Sequence, residues 1–321
     1  MSGLAPSADL LGRIRRGEVG GVILFGSNIS SASQVRALTK QLRDAAAAGG
    51  QPTLLIATDQ EGGSVKRIPW IPPTESVPSM GASGSTSTAE SQGAATGSGL
   101  LGLGINDDLA PVADVPSSTS VFMYQQGRTW SMSAATTTAM ANAFSEGLWS
   151  SGVMPTMKHF PGLGYAIKNT DQNVDKITVS AATLDPGLDP YRYAIGHGDT
   201  LMIMLSNAWY TAWDASNAAG WSTAIATGIV RGQLGFEGVT ITDSLNGIGS
   251  AMGTNPTTLA VRACRAGTDM ILLTGTEAST KAAFNALVAD VQNGLISRDV
   301  LGASYDRILG MKAILAQKAA P

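Results

Sequence analysis

The sequence predicts an α/β fold in which short parallel strands alternate with helices, and three observations lead to it. Seven short apolar runs recur along the chain, and their apolar residues are continuous rather than alternating, which is typical of strands that are buried on both faces. Helical patterns separate the runs, and polar residues follow nearly every one. This alternation, sustained over 321 residues, indicates either a (β/α)8 barrel or a doubly wound sheet.

The predicted strands and helices can be assigned in chain order. The strands lie in GGVILFG (20–26), PTLLIATD (52–59), INDDLAPVAD (105–114), VMPTMKHF (153–160), TLMIMLSNA (200–208), GVTITDS (238–244) and TDMILLTG (268–275). The helices cover residues 8–16, 33–48, 133–149, 256–266 and 280–293. Ser33 is the expected N-cap of the second helix. Because no glycine-rich phosphate loop follows a strand, the pattern disfavours a dinucleotide-binding fold.

A (β/α)8 barrel has eight strands, one more than the sequence shows. The chain opens with the helix-like segment 8–16, which leads directly into GGVILF. We therefore expect the first strand to be absent or displaced, which leaves a gap between GGVILF and the last strand, TDMILLTG. An open parallel edge invites pairing or covering, so we expect a homodimer through this edge or a tail that shields it.

Composition narrows the function classes. The net charge is −3 and charged residues make up only 14%, against about 25% in an average soluble chain, so no basic surface indicates nucleic acid or an anionic membrane. The single cysteine, Cys264, excludes an internal disulfide framework and a thiolate zinc site. With only two histidines and scattered carboxylates, we expect neither a metal site nor a cofactor.

Nothing in the sequence indicates a membrane span or a signal peptide. No apolar run reaches the length of about 18 residues that a membrane helix needs. The first residues, MSGLAPSADLLGRIRRGEVGG, carry charge early and lack an apolar core. The low lysine content and the abundance of Ala, Gly, Ser and Thr resemble exported bacterial enzymes. Composition thus favours export over a cytoplasmic location, which the sequence otherwise leaves open.

Polar residues lie just beyond the predicted strands. They are Asn28, Asp59 with Glu61, Asp114, Lys158 with His159, Ser206 with Asn207, and Asp243. In a parallel barrel the carboxyl ends of the strands meet at one face, where catalytic groups lie. The sequence therefore predicts an active-site face built from these residues.

Six motifs in order reveal a resemblance. They are GGVILFGSNI, ATDQEGGSVKRI, GINDDLAPVADV, QGRTWS, KHFPGLG and GFEGVTITDSL, all between residues 20 and 250. The chain resembles the family 3 glycoside hydrolases, in the single-domain branch of bacterial β-N-acetylglucosaminidases. The resemblance implies one barrel domain over residues 1–321. It also implies a retaining β-glycoside hydrolase that removes N-acetylglucosamine from the ends of cell-wall or chitin-derived glycans.

The resemblance assigns roles to single residues. The family nucleophile falls on Asp243, whose carboxylate would attack the anomeric carbon and form a glycosyl-enzyme. The sugar-holding residues of the family fall on Asp59, Arg67, Arg128, Lys158 and His159. Such charged donors and acceptors suit a ring that is rimmed with hydroxyl groups. Glu61 is expected to be structural, and Asp114 to hold loops together.

One part of the family pattern is missing from the loop that follows KHFPG. The family carries His at the position of Leu163, and then an Asp-x-His dyad that acts as the acid/base. Here the dyad positions read Asn169, Thr170 and Asp171. The second histidine of the chain, His197, lies in a helix-to-strand turn that is expected on the far side of the barrel.

Three hypotheses for Asp171 stay open. Asp171 is itself the acid/base, with Asn169 orienting it; or the protein is a glycan-binding relative that has lost turnover; or Asp171 is only a turn residue.

Two other functions compete. One is a β-glucosidase of the same family, which usually takes its acid/base from a second domain, and the other is a solute-binding or scaffold barrel. The aromatic residues Trp130, Trp209, Tyr210 and Trp213 either stack on sugar or pack in the core.

Overall fold

A parallel sheet surrounded by helices organises the protein. The computed structural model describes residues 1–198 and 200–318. The strands are β1 (Gly21–Leu24), β2 (Leu55–Thr58), β3 (Gln60–Gly62), β4 (Val65–Lys66), β5 (Asp107–Asp108), β6 (Met154–Phe160), β7 (Lys176–Ile177), β8 (Met202–Leu205), β9 (Trp209–Tyr210) and β10 (Val239–Thr242). Six of them, β1, β2, β5, β6, β8 and β10, form one sheet in that order, and every neighbouring pair is parallel.

Helices cover most of the chain between these strands. The α-helices are α1 (Ala8–Arg15), α2 (Ala32–Ala48), α3 (Val77–Ser83), α4 (Thr86–Leu101), α5 (Phe122–Gln125), α6 (Ala134–Ser150), α7 (Ala181–Leu184), α8 (Asp189–His197), α9 (Leu245–Ala251), α10 (Pro256–Arg265), α11 (Glu277–Gln292) and α12 (Arg298–Lys318). A π-helix (Ala224–Gln233) connects β9 to β10. None of the helices in the described ranges is both long and apolar enough to cross a membrane.

The sheet curls, so that its two ends face one another across an internal cavity. The cavity has a volume of about 350 Å³, and its lining includes Ile23 of β1, Met202 of β8 and Ile241 of β10. Strands at opposite ends of a six-stranded sheet can line one cavity only if the sheet is strongly curved. The predicted α/β class with a parallel sheet is confirmed in this form.

Six of the seven predicted apolar runs lie in this sheet, and the seventh differs. Residues 268–275 form no strand in the described chain; Met270 makes a single parallel bridge to Ile241. This segment has β10 on one side, whereas β1, at the other end of the sheet, pairs with β2 alone. A single bridge is too short to form a strand, so the seventh predicted strand is reduced to this one contact with β10.

Serine and threonine side chains set the helix boundaries. The Ser31 hydroxyl accepts a hydrogen bond from the Gln34 amide at 3.2 Å. The N-cap of α2 therefore lies two residues before the predicted cap, Ser33, and that prediction was wrong. Ser133 caps α6 as expected. Thr276 caps α11, which begins at Glu277, three residues before its predicted start.

Small residues let α4 and α6 lie in close contact. A Cβ on Gly147 would lie 2.1 Å from the Glu90 carbonyl oxygen, and one on Gly93 would lie 2.2 Å from that of Phe144. Real Cβ atoms do not approach this closely, so both positions require glycine. The contact buries Phe144 and Leu148 and covers the outer face of the sheet.

The first residues of the chain lie against the open end of the sheet. The Asn28 amide donates to the carbonyl oxygens of Met1 (3.2 Å) and Gly3 (2.8 Å). Gln34 donates to the carbonyl of Leu4 at 2.7 Å, and the Ser7 hydroxyl donates to Glu277. Residues 1–7 therefore cross from the β1 side to the α11 side, as a shielding tail would.

Candidate active site

The carboxyl ends of the parallel strands gather the predicted polar residues. Asp59 follows β2, Lys158 and His159 end β6, and Asp243 follows β10. Because these strands run in the same direction in one curled sheet, all four residues lie at the same edge. Asp114 joins them, since the chain just before it, at Val112, makes a parallel bridge to Lys158.

Lys158 lies at the centre of an ion-pair network. Its Nζ is 2.7 Å from Asp59 Oδ1 and 2.7 Å from Glu61 Oε1, and only 2% of its side chain is exposed. Burial by itself would lower the pKa of Lys158, but Asp59 and Glu61 outweigh it and raise that pKa above its usual range. Lys158 is therefore a fixed cation rather than a proton donor.

Glu61 has a larger part in this network than the sequence indicated. Arg128 donates two hydrogen bonds to Glu61, from Nε to Oε2 at 2.8 Å and from Nη2 to Oε1 at 2.7 Å. Burial alone would raise the pKa of Glu61, but Arg128 and Lys158 hold it well below its usual range. Glu61 was expected to be structural, and its contacts with these two cations are what the expectation did not include. The sequence did contain a signal for this network. Glu61 is a carboxylate two residues after Asp59, and the motifs also carry the cations Arg128 and Lys158.

Arg67 is the most accessible of the predicted sugar-holding residues. Its Nη2 lies 3.4 Å from Asp59 Oδ2, and 34% of its side chain is exposed. Its guanidinium carbon lies 5.6 Å from the centre of the Phe25 ring, which restrains the side chain from the β1 side. Arg67 thus keeps donors free toward solvent, whereas Arg128 has its Nε and Nη2 on Glu61.

Asp114 fixes both the ring and the backbone of the His159 region. Asp114 Oδ2 lies 2.8 Å from His159 Nδ1, and its Oδ1 accepts hydrogen bonds from the amides of Leu163 (2.7 Å) and His159 (3.3 Å). A carboxylate beside Nδ1 favours the tautomer that carries its proton there. Nε2 of a neutral His159 is then an acceptor for a ligand hydroxyl. Asp114 holds the loop, as expected, and also orients His159.

Asp243 is partly exposed and directly follows β10, where backbone and side-chain groups of neighbouring loops position it. Its Oδ1 accepts a hydrogen bond from the Ser244 amide at 2.7 Å, and the Ser244 carbonyl accepts one from Asn207 Nδ2 at 2.9 Å. Burial and the neighbouring carboxylate of Asp171 raise the pKa of Asp243 to about 7, against the opposing influence of His159. Asp243 therefore titrates in the neutral range, and Asp171 is close enough to contribute.

Asp171 lies in a docked loop beside Asp243. Asn169 Oδ1 accepts a hydrogen bond from the Asp171 amide at 3.0 Å, and Asp175 accepts amide hydrogen bonds from Ile167 (2.7 Å) and Lys168 (2.9 Å). Asn169 thus shapes the Asp171 backbone, whereas the predicted contact was to the carboxylate. The Asp171 side chain is exposed and can meet a ligand.

Other sequence candidates lie away from this cluster. His197 ends α8, is exposed, and stacks on Tyr193 with ring centres 3.9 Å apart, while its Nδ1 lies 2.8 Å from the Tyr193 carbonyl oxygen. Trp130 is buried and donates its indole N–H to the Val112 carbonyl at 2.8 Å. Trp209 and Tyr210 are buried too. These three aromatic residues pack in the core, where a sugar face cannot reach them.

Comparison with known proteins gives consistent matches along the whole chain. The profile described as "Glycosyl hydrolase family 3 N terminal domain" matches residues 3–311. A protein of Arthroderma benhamiae described as an uncharacterized secreted glycosyl hydrolase is 34% identical, over 98% of this chain and 90% of its own length. The beta-hexosaminidase of Nitrosospira multiformis is 33% identical, over 81% of this chain and 75% of its own.

Solved structures agree with these matches. The beta-N-acetylhexosaminidase of Beutenbergia cavernae superposes with a TM-score of 0.88 at 31% identity, covering 98% of this chain and 95% of that one. The family 3 beta-N-acetylglucosaminidase of a Paenibacillus species superposes with a TM-score of 0.92 at 30% identity, over 100% of this chain. This chain spans 61% of the Paenibacillus protein.

Proposed function

Because the chain belongs to glycosyl hydrolase family 3, we propose that it is a retaining β-N-acetylglucosaminidase that releases sugars from the ends of cell-wall or chitin-derived glycans. The observation that carries this proposal is the position of Asp243 at the carboxyl edge of the sheet, beside the ion-pair network of Asp59, Glu61 and Lys158, with the Asp171 loop packed against the helix that follows it. A retaining glycosidase needs two carboxyl groups close together, one as nucleophile and one as acid/base. The names of the beta-hexosaminidase relatives support the substrate class.

Asp243 acts as the nucleophile. It attacks the anomeric carbon, the bond to the leaving oxygen breaks, and a glycosyl-enzyme ester forms. The attacking form is the carboxylate, and a pKa of about 7 leaves a substantial ionised fraction at neutral pH. The Ser244 amide holds one carboxylate oxygen at 2.7 Å, which orients the carboxylate for attack.

Asp171 acts as the acid/base in place of the Asp-x-His dyad. In the reactive state the pair carries one proton, which lies on Asp171 and leaves Asp243 ionised. Asp171 gives this proton to the leaving oxygen, and its carboxylate then takes a proton from the water that hydrolyses the ester. Once Asp243 is esterified it carries no charge, so the repulsion between the two carboxylates disappears. Ionised Asp171 is then tolerated at the step that needs a base.

Asp59, Arg67, Lys158 and His159 bind the hydroxyl groups of the sugar. Lys158 and Asp59 form a preformed donor and acceptor pair at 2.7 Å, and His159 offers Nε2. Arg128 supports the site through Glu61, since its bidentate contact there fixes the carboxylate that holds Lys158. No step of this scheme requires a metal or an organic cofactor.

Several finer features belong to the same proposal. Residues 1–321 are proposed to form one domain, built on a (β/α)8 plan that is open between β1 and residues 268–275. A homodimer through this edge stays a prediction that sedimentation at several concentrations tests. The alternatives are a glycan-binding relative without turnover and a β-glucosidase of the same family.

A panel of aryl β-glycosides separates these functions. We expect wild type to hydrolyse the N-acetylglucosaminide faster than the glucoside. Asp243→Ala should abolish turnover and leave sugar affinity nearly intact, because binding depends on Asp59, Arg67, Lys158 and His159. Asp306→Asn, an exposed carboxylate on α12, is the matched control. Sugar binding without turnover in wild type would favour the inactive relative, and unchanged turnover in Asp243→Ala would remove Asp243 from the mechanism.

A further inference from the structure

The segment that does not form the seventh strand is hydrogen-bonded to the chain around the proposed nucleophile. Residues 270–274, called here the edge segment, border the open side of the sheet. The Leu272 amide donates to the Thr242 hydroxyl at 3.0 Å, and the Thr274 amide donates to Asn246 Oδ1 at 2.7 Å. Side-chain acceptors thus link the edge segment to residues on both sides of the nucleophile.

Ser244 lies at the N-cap position of α9, yet its hydroxyl does not cap the helix. A serine at this position usually accepts a hydrogen bond from an amide of the first helical turn, and the described chain shows no such bond for Ser244. Its hydroxyl instead lies 2.7 Å from the hydroxyl of Thr274. This contact replaces the usual cap and joins the start of α9 to the edge segment.

The polar groups of Ser244 all have partners, and one of these partners is the proposed nucleophile. The Ser244 amide donates to Asp243 Oδ1 at 2.7 Å, which is a strong kind of hydrogen bond because the acceptor is charged. The Ser244 carbonyl accepts from Asn207 Nδ2 at 2.9 Å. Since Asn207 and Thr274 hold the carbonyl and the hydroxyl, the direction of the Ser244 N–H is set by residues outside the nucleophile itself.

We propose that Thr274 is a positioning residue for the nucleophile, because its contact with Ser244 holds the amide that fixes the Asp243 carboxylate. Its role rests on the proposed function, in which Asp243 attacks the anomeric carbon. Thr274 acts through Ser244 and not on the sugar. The loosely paired side of the sheet thereby contributes to the geometry of attack.

Removing the hydroxyl of Thr274 tests this role with little change of shape. With an activated aryl β-glycoside, Thr274→Val should lower kcat by about tenfold and leave KM nearly unchanged, since other residues bind the sugar. Thr274→Ser keeps the hydroxyl and should keep kcat. The matched control is Thr280→Val, which removes a hydroxyl that accepts from Arg13 Nη1 at 2.9 Å, and kcat should be that of wild type.

A double-mutant cycle shows whether Thr274 acts through Ser244. Ser244→Ala should lower kcat as much as Thr274→Val does, and the double variant should show no further loss, because each change removes the same contact. Independent losses that multiply in the double variant would overturn the proposal. If Thr274→Val fails to fold, Ser244→Ala makes the same test from the other side of the contact.

The acidic limb of kcat/KM separates positioning from a general loosening of the fold. Burial and Asp171 raise the pKa of Asp243, and the Ser244 amide opposes them by stabilising the ionised form. Thr274→Val weakens this opposition, so the pKa should rise and the limb should move to higher pH by roughly half a unit. The charged groups that face Asp243 are Asp171, His159 and Lys158. The variant changes none of these charges, so the shift reports the Ser244 amide.

The ionisation of Asp243 can also be followed without turnover. The carboxyl carbon signal of Asp243, in protein labelled with ¹³C at aspartate and assigned with Asp243→Asn, should titrate at higher pH in Thr274→Val than in wild type. If wild type hydrolyses no aryl glycoside, the proposed function is wrong and this titration alone decides the role of Thr274. An unchanged titration in Thr274→Val, or an equal loss of kcat in Thr280→Val, would overturn that role.

Discussion

Gly247 of α9 supports the loop that carries Asp171: a Cβ at Gly247 would lie 2.0 Å from the Asp171 carbonyl oxygen. Gly247 lies four residues after Asp243, on the helix that follows this residue. This contact sets how closely the Asp171 backbone approaches α9. The absence of a side chain at residue 247 therefore allows this approach.

Gly247→Ala should displace the Asp171 loop and impair the acid/base step. A methyl group cannot fit 2.0 Å from an oxygen, and backbone must move to admit it. We expect kcat for substrates with poor leaving groups to fall by about 10-fold or more, with a smaller loss for activated substrates. The control is Gly302→Ala on α12, where a Cβ meets nothing within 4 Å. Equal kinetics in both variants would show that the loop position is irrelevant to catalysis.

The sequence predicted the strands well because their apolar runs are continuous, and a parallel sheet imposes that pattern without regard to partners. The prediction was wrong at residues 268–275, which have the apolar pattern of a strand but make only one bridge, between Met270 and Ile241. Pairing is a tertiary property, so the apolar pattern could not reveal it. The prediction of Ser33 as the N-cap was wrong for a local reason. Ser30, Ser31 and Ser33 all precede the apolar stripe of the helix, and only the backbone geometry shows that Ser31 is the cap.

The sequence predicted which residues form the candidate site better than it predicted their contacts. Motif order identified Asp59, Lys158 and His159, whose placement at one edge follows from parallel strands. The Glu61 link to Arg128 joins residues 67 positions apart, and nothing local encodes it. The Asn169 contact with the Asp171 backbone was missed because an Asx turn and a carboxylate-orienting amide need the same residue type.

Replacing Asp171 should shift the acidic limb of the pH profile to lower pH. With an activated aryl glycoside, which needs no acid, ionised Asp171 helps to raise the pKa of Asp243 to about 7, and protonated Asp243 cannot attack the anomeric carbon. Asp171→Asn removes the negative charge, so the pKa of Asp243 falls and the limb of kcat/KM moves down. An activated aryl glycoside keeps the rate measurable. The control Asp306→Asn should leave the acidic limb unchanged. An unchanged limb in Asp171→Asn as well would show that Asp171 does not influence the ionisation of Asp243.

Asp107→Asn should stabilise the fold at alkaline pH. Burial raises the pKa of Asp107 to about 7, above the unfolded value near 4. The folded state therefore binds the proton more tightly, and stability falls as pH rises from about 4 to 7. Asparagine does not ionise, so the loss of stability at higher pH disappears, and its side-chain oxygen can still accept the hydrogen bond from Thr156. Urea unfolding should show a gain of a few kcal/mol at most at pH 8 and little difference at pH 4. A gain of equal size at both pH values would rule out titration as its cause.

Asp171→Asn should slow substrates with poor leaving groups far more than those with good ones. A poor leaving group needs its oxygen protonated in the transition state, whereas a nitrophenolate leaves almost unaided, so the two rate losses should differ by about 10²–10⁴-fold. Azide should partly restore turnover of the activated substrate, because a strong nucleophile attacks the glycosyl-enzyme without a base. The product is then a β-glycosyl azide, whose retained configuration also reports the covalent intermediate on Asp243. Asn169→Ala, which loosens the Asp171 backbone but keeps the carboxylate, should give a smaller loss and no azide response. Equal losses for both leaving groups, without azide rescue, would leave Asp171 as a turn residue.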